Sequence, residues 1–230
     1  MELTILLPTL NEAGNVSSLI AEAKDVVSPI VPQFEILVID GGSRDGTVEE
    51  ARRAGARVRT VEGLSYGRSL REGFSQAEGR LILTLDADLS HPIRIFPLMW
   101  EAMRGSGAQM VIASRYVAGG RVERPFFRDL LSRTLNKISS SLLDIPLNDL
   151  SSGFRLYEKK ALDSVTTRAV NFDIQEELIT QFANRGYKIM EVPGAYGPRH
   201  EGMSKANVLL FAFSYLKTLS RMWWQRRTKI

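Results

Sequence analysis

The sequence has no cysteine among its 230 residues and only two histidines. A disulfide framework, a thiolate-held zinc, an iron–sulfur cluster and a thiol nucleophile are therefore excluded. No uninterrupted apolar run reaches the roughly 20 residues that span a bilayer. The best stretch, Val208 to Leu216, is short and meets Lys217 at once. The first residues lack the pattern of a secretory leader: Glu2 is acidic, Thr4 interrupts the run Leu3–Leu7, and Pro8 ends it. Acidic residues are missing from one whole region. Residues 205–230 hold six basic groups (Lys205, Lys217, Arg221, Arg226, Arg227, Lys229) and no acid.

What is present is ordinary for a globular chain: 44% hydrophobic and 24% charged residues, with a formal net charge of +4. Disorder, collagen-like repeats and low complexity are excluded as the main description. Removing the tail from the 30 basic and 26 acidic groups leaves the other 204 residues with 24 and 26, a net of −2. A globally basic nucleic-acid binder does not look like this. The excess charge belongs to the tail and asks for a local explanation.

Short apolar runs alternate with helical patterns. Leu3–Leu7, Phe34–Ile39, Ala56–Val61, Leu81–Leu85 and Met110–Ala113 read as strands, mostly buried. Between them, Gly14–Val27, Thr47–Ala54, Tyr66–Ala77 and Ile93–Arg104 read as amphipathic helices. The alternation predicts an α/β fold: a mostly parallel central sheet with helices on both faces. The second half is less regular, with helices over Phe127–Leu143 and Asp173–Asn184, strands near Phe154–Tyr157 and Lys188–Val192, and a loop from Pro193 to Gly202. In such sheets ligands gather beyond the C-terminal strand ends, which directs attention to the loops after Leu7, Ile39, Leu85 and Ala113.

After the first strand comes Pro8-Thr9-Leu10-Asn11-Glu12, where Pro8 is expected to end pairing and Asn11 or Thr9 to cap the next helix. After the second comes Asp40-Gly41-Gly42-Ser43-Arg44-Asp45-Gly46-Thr47. This is either an ordinary turn or a sheet edge whose carboxylate accepts N–H bonds from a nucleobase, and it lacks the Gly-Lys-Ser/Thr of a phosphate-binding loop. The fourth strand ends in Asp86-Ala87-Asp88-Leu89-Ser90-His91-Pro92. Two carboxylates leaving a buried strand suit a hard cation, Mg²⁺ or Mn²⁺, shared with substrate phosphates. His91 reads as a general base, a ligand, or a residue that shapes the turn. Arg115, Arg128 with Ser132 one helical turn later, Arg155 and Arg199 stand near loop ends, where guanidinium groups would grip phosphate oxygens.

Taken in order, Leu-Pro-Thr-x-Asn-Glu, Val-Ile-Asp-Gly-Gly-Ser-x-Asp-Gly-Thr, Asp-Ala-Asp-Leu-Ser-His-Pro, Ser-Arg-Tyr and Ser-Gly-Phe-Arg resemble family 2 glycosyltransferases with the GT-A fold. More narrowly, the set is similar to dolichol-phosphate mannose synthases and related polyprenyl-phosphate glycosyltransferases. The resemblance covers residues 3–205 and closes with Glu191-Val192-Pro193 and Arg199-x-x-Gly202-x-Ser204-Lys205. It implies that Pro8, Asn11, Glu12 and Asp40 line the nucleotide pocket. Asp86 and Asp88 would hold the metal and the sugar-nucleotide diphosphate, and Arg115, Arg128 and Ser132 would meet the acceptor phosphate. Arg199, Ser204 and Lys205 would close over the donor phosphates, while Asp149, Arg155, Gln175 and Glu177 match further family positions. Two departures stand out: Gly41 replaces the second acid of the usual Asp-Asp-Gly-Ser turn, and Ser90 stands where some members carry a glutamine metal ligand.

The implied reaction is inverting transfer of a hexose, mannose from GDP-mannose first and glucose from a UDP donor second, to a polyprenyl phosphate at the cytoplasmic face of a membrane. Nucleic acid is not an expected partner, whereas a membrane subunit or a second copy of the chain is. Competing readings are a non-enzymatic nucleotide-sugar-binding membrane adaptor and, third, a nucleotidyltransferase. Residues 1–205 form the expected catalytic domain and 206–230 a basic amphipathic helix. At about 100° per residue Ala212, Leu216, Leu219 and Trp223 share one side, with Ser214, Lys217, Thr218, Arg221 and Gln225 opposite. That helix is expected on the membrane surface, the alternatives being docking on the core or a dimer face.

Overall fold

The computed structural model describes residues 1–123, 125–197 and 208–227, the last segment by backbone alone as far as 214. In chain order the strands are β1 (Leu3–Thr9), β2 (Phe34–Asp40), β3 (Arg57–Thr60), β4 (Leu81–Thr84), β5 (Met110–Ser114), β6 (Arg121–Val122), β7 (Arg155–Glu158), β8 (Ile189–Pro193) and β9 (Ala195–Tyr196). Seven of them make one sheet in the order β3-β2-β1-β4-β7-β5-β8, while β6 and β9 pair as a small parallel ribbon. Every pairing in the large sheet is parallel except the two made by β7. That exception matters for the site. Because β7 runs backwards, its first residues meet the C-terminal end of β4, with Arg155 opposite Thr84.

Both faces are covered, as the unbroken apolar strands require. Side chains alternate along each strand. Leu3, Ile5 and Leu7 of β1 join Ile36 and Val38 of β2 in one core with α1 (Ala13–Val27), α2 (Thr47–Arg53) and α4 (Phe96–Ser106). Leu6, Leu37 and Ile39 point the other way, into a core shared with α3 (Tyr66–Gln76), α5 (Phe126–Leu143), α6 (Lys159–Asp163), α7 (Ile174–Asn184) and α8 (Val208–Arg227). A short 3₁₀ turn, Ile93–Ile95, precedes α4, where Pro97 occupies the first helical turn; the single helix expected over Ile93–Arg104 is thus divided.

Two local expectations are corrected at β1. Pro8 does not end pairing: β1 continues to Thr9, which lies opposite Asp40. The β1–β4 ladder has already stopped at Leu6 opposite Thr84, so a residue without an N–H is tolerated there. Neither Asn11 nor Thr9 caps α1. The cap position is Glu12, without a side-chain cap bond, and Asn11 adopts the left-handed conformation at φ 53°.

The C-terminal helix departs from its expected orientation. Tyr215, Thr218, Leu219 and Met222 of α8 are buried. Tyr215 Oη lies 2.6 Å from Ser139 Oγ of α5, and Thr218 Oγ1 donates to Asp173 Oδ2 at 2.6 Å. Arg221 Nη2 donates to Glu177 Oε1 at 2.6 Å, and Arg226 donates to Asn184 and to the Asp144 carbonyl. The docked face therefore straddles the two expected sides, taking Thr218 from the polar one and Leu219 from the apolar one, while Lys217 is exposed and Leu216 and Trp224 are 63% and 65% exposed. The reason lies on α7, whose acids Asp173 and Glu177 receive Thr218 and Arg221.

Candidate active site

β1, β2 and β4 are parallel neighbours, so the loops that follow them share one edge of the sheet. The first two loops are stitched together. Asn11 N donates to Ser43 Oγ at 2.7 Å, Arg44 N to Asn11 Oδ1 at 3.0 Å and Ala13 N to Asp45 Oδ2 at 3.1 Å. Glu12 N donates to Thr47 Oγ1 at 2.8 Å, while the Glu12 carboxylate accepts from Asn15 Nδ2 at 3.0 Å. The structure thus brings Pro8, Asn11, Glu12 and Asp40 together. It also gives Asp40 work inside the loop. Oδ1 accepts from Gly42 N and Ser43 N at 3.0 and 2.9 Å, and Oδ2 from Thr9 Oγ1 at 3.1 Å and from Ser43 Oγ. Fully buried and holding four donors, this carboxylate organises the turn that forms this edge of the expected nucleotide pocket.

The loop after β4 is built differently. Asp86 is half-buried and Asp88 buried. Asp88 Oδ1 accepts from Ser90 N at 3.0 Å and Ser90 Oγ at 2.5 Å, so Ser90 orients Asp88. Between them Leu89 is held at φ 59°, a conformation that costs a branched side chain about 1–2 kcal/mol. His91 is buried between Phe154 and Tyr196, with ring centroids 5.7 and 5.2 Å away. Burial, helped by the Arg115 charge, lowers its pKa to about 4, so the ring is neutral near pH 7, and Nδ1 has no partner. Among the described residues no group of three or more His, Asp or Glu converges as a complete cation cage.

Asp86 has neighbours that the sequence did not reveal. The hydroxyl of Tyr66, at the start of α3, faces Asp86 beside Gly153, and Gln175 Nε2 of α7 donates to it at 3.0 Å. Burial and the Asp86 charge push the Tyr66 hydroxyl well above its ordinary range, so it remains a donor. The Tyr66 ring stacks on Phe172, centroids 4.3 Å apart. Gly153, reaching this edge because β7 is antiparallel, leaves the necessary space. A Cβ there would lie 2.9 Å from Tyr66 Oη, 3.5 Å from Gln175 Nε2 and 3.6 Å from Asp86 Oδ1.

The expected arginines divide into three kinds. Arg115 is buried against Asp149, with Nε to Oδ2 at 2.7 Å and Nη2 to Oδ1 at 2.6 Å, and Nη2 also meets Ser151 Oγ at 2.7 Å. Burial opposes ionisation of both partners, but the paired hydrogen bonds and charges prevail: Arg115 is raised and Asp149 lowered from their ordinary values. The bidentate face expected to meet phosphate is therefore occupied by Asp149. Glu191 braces that partner, accepting from Asp149 N and from Asn148 N at 2.9 Å each. Arg155 is fully buried and donates to the Ser152, Gln175 and Leu150 carbonyls, which corrects its expected place in an anion site. Arg128 alone of these is exposed, on α5, one turn before the half-buried Ser132, whose carbonyl accepts from Asn136 Nδ2 at 2.8 Å. Arg199, Ser204 and Lys205 lie outside the described residues.

Residues 4–166 match the profile of glycosyl transferase family 2. The chain is 30% identical over 232 residues to a dolichol-phosphate mannosyltransferase of Pyrococcus furiosus, an alignment covering 96% of this chain and 64% of that protein. It thus spans somewhat less than two thirds of that relative's length. It is 31% identical to a polyprenol monophosphomannose synthase of Mycolicibacterium smegmatis, covering 87% of this chain and 79% of the relative. Among solved structures, glucosyl-3-phosphoglycerate synthase of Mycobacterium tuberculosis with Mn²⁺, uridine diphosphate and phosphoglyceric acid superposes with TM-score 0.72 at 23% identity, over 96% of this chain and 78% of that one. The same synthase with Mg²⁺ and uridine diphosphate gives 0.72 at 24% identity, over 96% and 79%. With this sheet, these strand-end motifs and these relatives, the chain belongs to glycosyl transferase family 2 and has the GT-A fold.

Proposed function

We propose that the chain transfers a hexose from a nucleotide sugar to a polyprenyl phosphate at the cytoplasmic membrane face, with mannose from GDP-mannose as the first donor to test. One observation carries the choice of a lipid acceptor. Helix α5, which bears Arg128 and Ser132, also exposes Phe126 and Phe127 (72% and 81%), Leu130, Leu131, Ile138 and Leu142. At about 100° per residue Phe127, Leu130, Leu131, Ile138 and Leu142 fall within one arc of about 120° along the helix. An apolar stripe of this extent beside a phosphate-competent arginine suits an isoprenoid chain at a bilayer surface. The membrane contact thus moves from the C-terminal helix, where sequence alone put it, to α5. No helix among the described residues is long and apolar enough to cross a membrane. The names of the two sequence relatives support mannosyl transfer, while the uridine diphosphate held by the structural relatives keeps a UDP-glucose donor as the second reading.

Asp86 and Asp88 would hold Mg²⁺ or Mn²⁺. Their donors are all oxygen and too few for a closed cage, which suits a cation that keeps water and substrate phosphate in its shell. Bound there, the cation would supply positive charge against the diphosphate leaving group. The chain's own contribution is placement. The loops after β1 and β2, locked by Asp40 and Asp45, form the nucleotide side; Arg199, Ser204 and Lys205 would close over the donor phosphates. Arg128 and Ser132 would orient the acceptor phosphate, which is already anionic at neutral pH and needs no general base. Arg115, tied to Asp149, would hold the floor of that site and add a largely neutralised charge.

Incubation with GDP-mannose or UDP-glucose, Mg²⁺ and polyprenyl phosphate should yield a lipid-linked sugar with one donor. The Phe126→Ser, Phe127→Ser double variant should lose sedimentation with anionic vesicles while keeping its melting midpoint. No lipid product with either donor would refute the assignment; undiminished vesicle binding would refute the part given to α5.

A further inference from the structure

A continuous chain of contacts leads from the C-terminal helix to Asp86. Arg221 and Thr218 of α8 bond Glu177 and Asp173 of α7. Those two acids reach onward. Glu177 Oε2 accepts from the backbone N–H of Arg168 and Ala169 at 2.8 and 2.7 Å, and Asp173 Oδ1 from Asn171 N at 3.1 Å. The segment they pin, 168–173, grips the first turn of α3. The Val170 carbonyl accepts from Gly67 N at 3.0 Å and from Ser65 Oγ, and the Ala169 carbonyl accepts from Arg71. The fit is tight: a Cβ on Gly67 would lie 2.8 Å from the Ala169 carbonyl oxygen. Phe172 of the same segment stacks on Tyr66, whose hydroxyl faces Asp86 beside Gly153.

We propose that Tyr66 is the positioning residue of the cation site and that α8 sets its place: the Tyr66 hydroxyl fixes the orientation of the Asp86 carboxylate, and the bonds of Arg221 and Thr218 hold the segment that fixes Tyr66. The proposal rests on the reading of Asp86 as a cation ligand. It gives two polar residues of the tail a role inside the catalytic domain. A ligand carboxylate needs its second oxygen held as much as its first, since a free rotor loses orientation on every encounter with a cation. Half-buried Asp86 has such support from the Tyr66 phenol. The phenol stands at the first turn of α3, a helix packed on β1 and β2, and its ring lies against the 168–173 segment, which α7 and α8 pin.

The test is direct Mn²⁺ binding to the full chain, followed by the electron spin resonance of free Mn²⁺, with thermal melting alongside. Tyr66→Phe keeps the stack on Phe172 and removes the hydroxyl; it should weaken Mn²⁺ binding about tenfold or more while the chain still melts cooperatively, with a midpoint lowered only by loss of the Gln175 bond. Arg221→Gln should weaken it about two- to tenfold. The double variant should match Tyr66→Phe alone, because the helix acts through that hydroxyl. Unchanged Mn²⁺ affinity in Tyr66→Phe, or full additivity of the two losses, would overturn the proposal. Asp86→Asn separates the two levels. If it leaves Mn²⁺ affinity intact, the reading of Asp86 as ligand fails; if it abolishes binding while Tyr66→Phe does nothing, only the present inference fails.

Discussion

Asp40 and Asp86 leave the same edge of one sheet, at the ends of the strands that flank β1. Asp40 is fully buried and surrounded by Thr9, Gly42 and Ser43, which bring it four donors. Asp86 is half-buried and meets Tyr66, with Gly153 kept small beside it. The Asp40 carboxylate is spent on closing its own turn, whereas Asp86 stays partly accessible at the edge, beside Tyr66 and Gly153. Position at a sheet edge therefore marks where a site can be, and burial separates the closed turn from the accessible acid. The arginines divide in the same way: Arg115 and Arg155 are buried and tied to protein acceptors, while Arg128 is exposed.

This contrast sets the order of expected effects. Asp86→Asn should cut transfer by about a hundredfold or more at an unchanged melting midpoint, read by product formation and melting in parallel. Arg115→Ala should act on stability, costing about 3–5 kcal/mol because Asp149 is left buried and unpaired, measured by urea denaturation. Arg128→Ala, its exposed counterpart, should change stability by less than about 0.5 kcal/mol while raising the KM for polyprenyl phosphate. Asp40→Ala orphans donors in a closed turn and should cost about 1–3 kcal/mol, with turnover per folded molecule largely retained. If Asp40→Ala instead abolished transfer without loss of stability, the division between the two acids would be wrong.

The smallest effect concerns pH. Burial, opposed by Arg155, raises the Glu176 carboxyl from 4.5 to about 8, and Oε2 has no partner. The folded state then keeps a proton that the unfolded chain releases. Stability is fully present below about pH 4.5 and is lost as pH rises through about 8. Glu176→Gln should remove that decline, so its melting midpoint should exceed the parent's at pH 8.5 and match it at pH 4.5.

The fold was legible wherever one element explained its own pattern. The five parallel strands and the helices between them lie within a residue or two of their expected places, because apolar runs ending in Gly, Pro or Asp state both period and boundary. The Asp86/Asp88 pair was legible as an acidic turn after a buried strand. Direction was not: the four residues Arg155-Leu156-Tyr157-Glu158 look alike in either sense, yet the antiparallel choice is what carries Gly153 to Asp86. Tyr66 and Gln175 were missed as a pair because they are 109 positions apart. The glycine that makes room for them gave only a weak signal. The α8 helix is rotated by part of a turn from its expected phase because Thr218 and Arg221 look solvated until Asp173, at the cap of α7, and Glu177 within it are seen to receive them. Asp40 was readable in part, since Gly42 and Ser43 follow it at the spacing of a side-chain-closed turn.

The most direct measurement places the parent chain and Asp86→Asn side by side with GDP-mannose, Mg²⁺ and polyprenyl phosphate, and follows the lipid-linked sugar. The parent should form it, and Asp86→Asn, equally folded, should form almost none. Lipid product undiminished in Asp86→Asn, or absent from the parent with both GDP-mannose and UDP-glucose, would contradict the account.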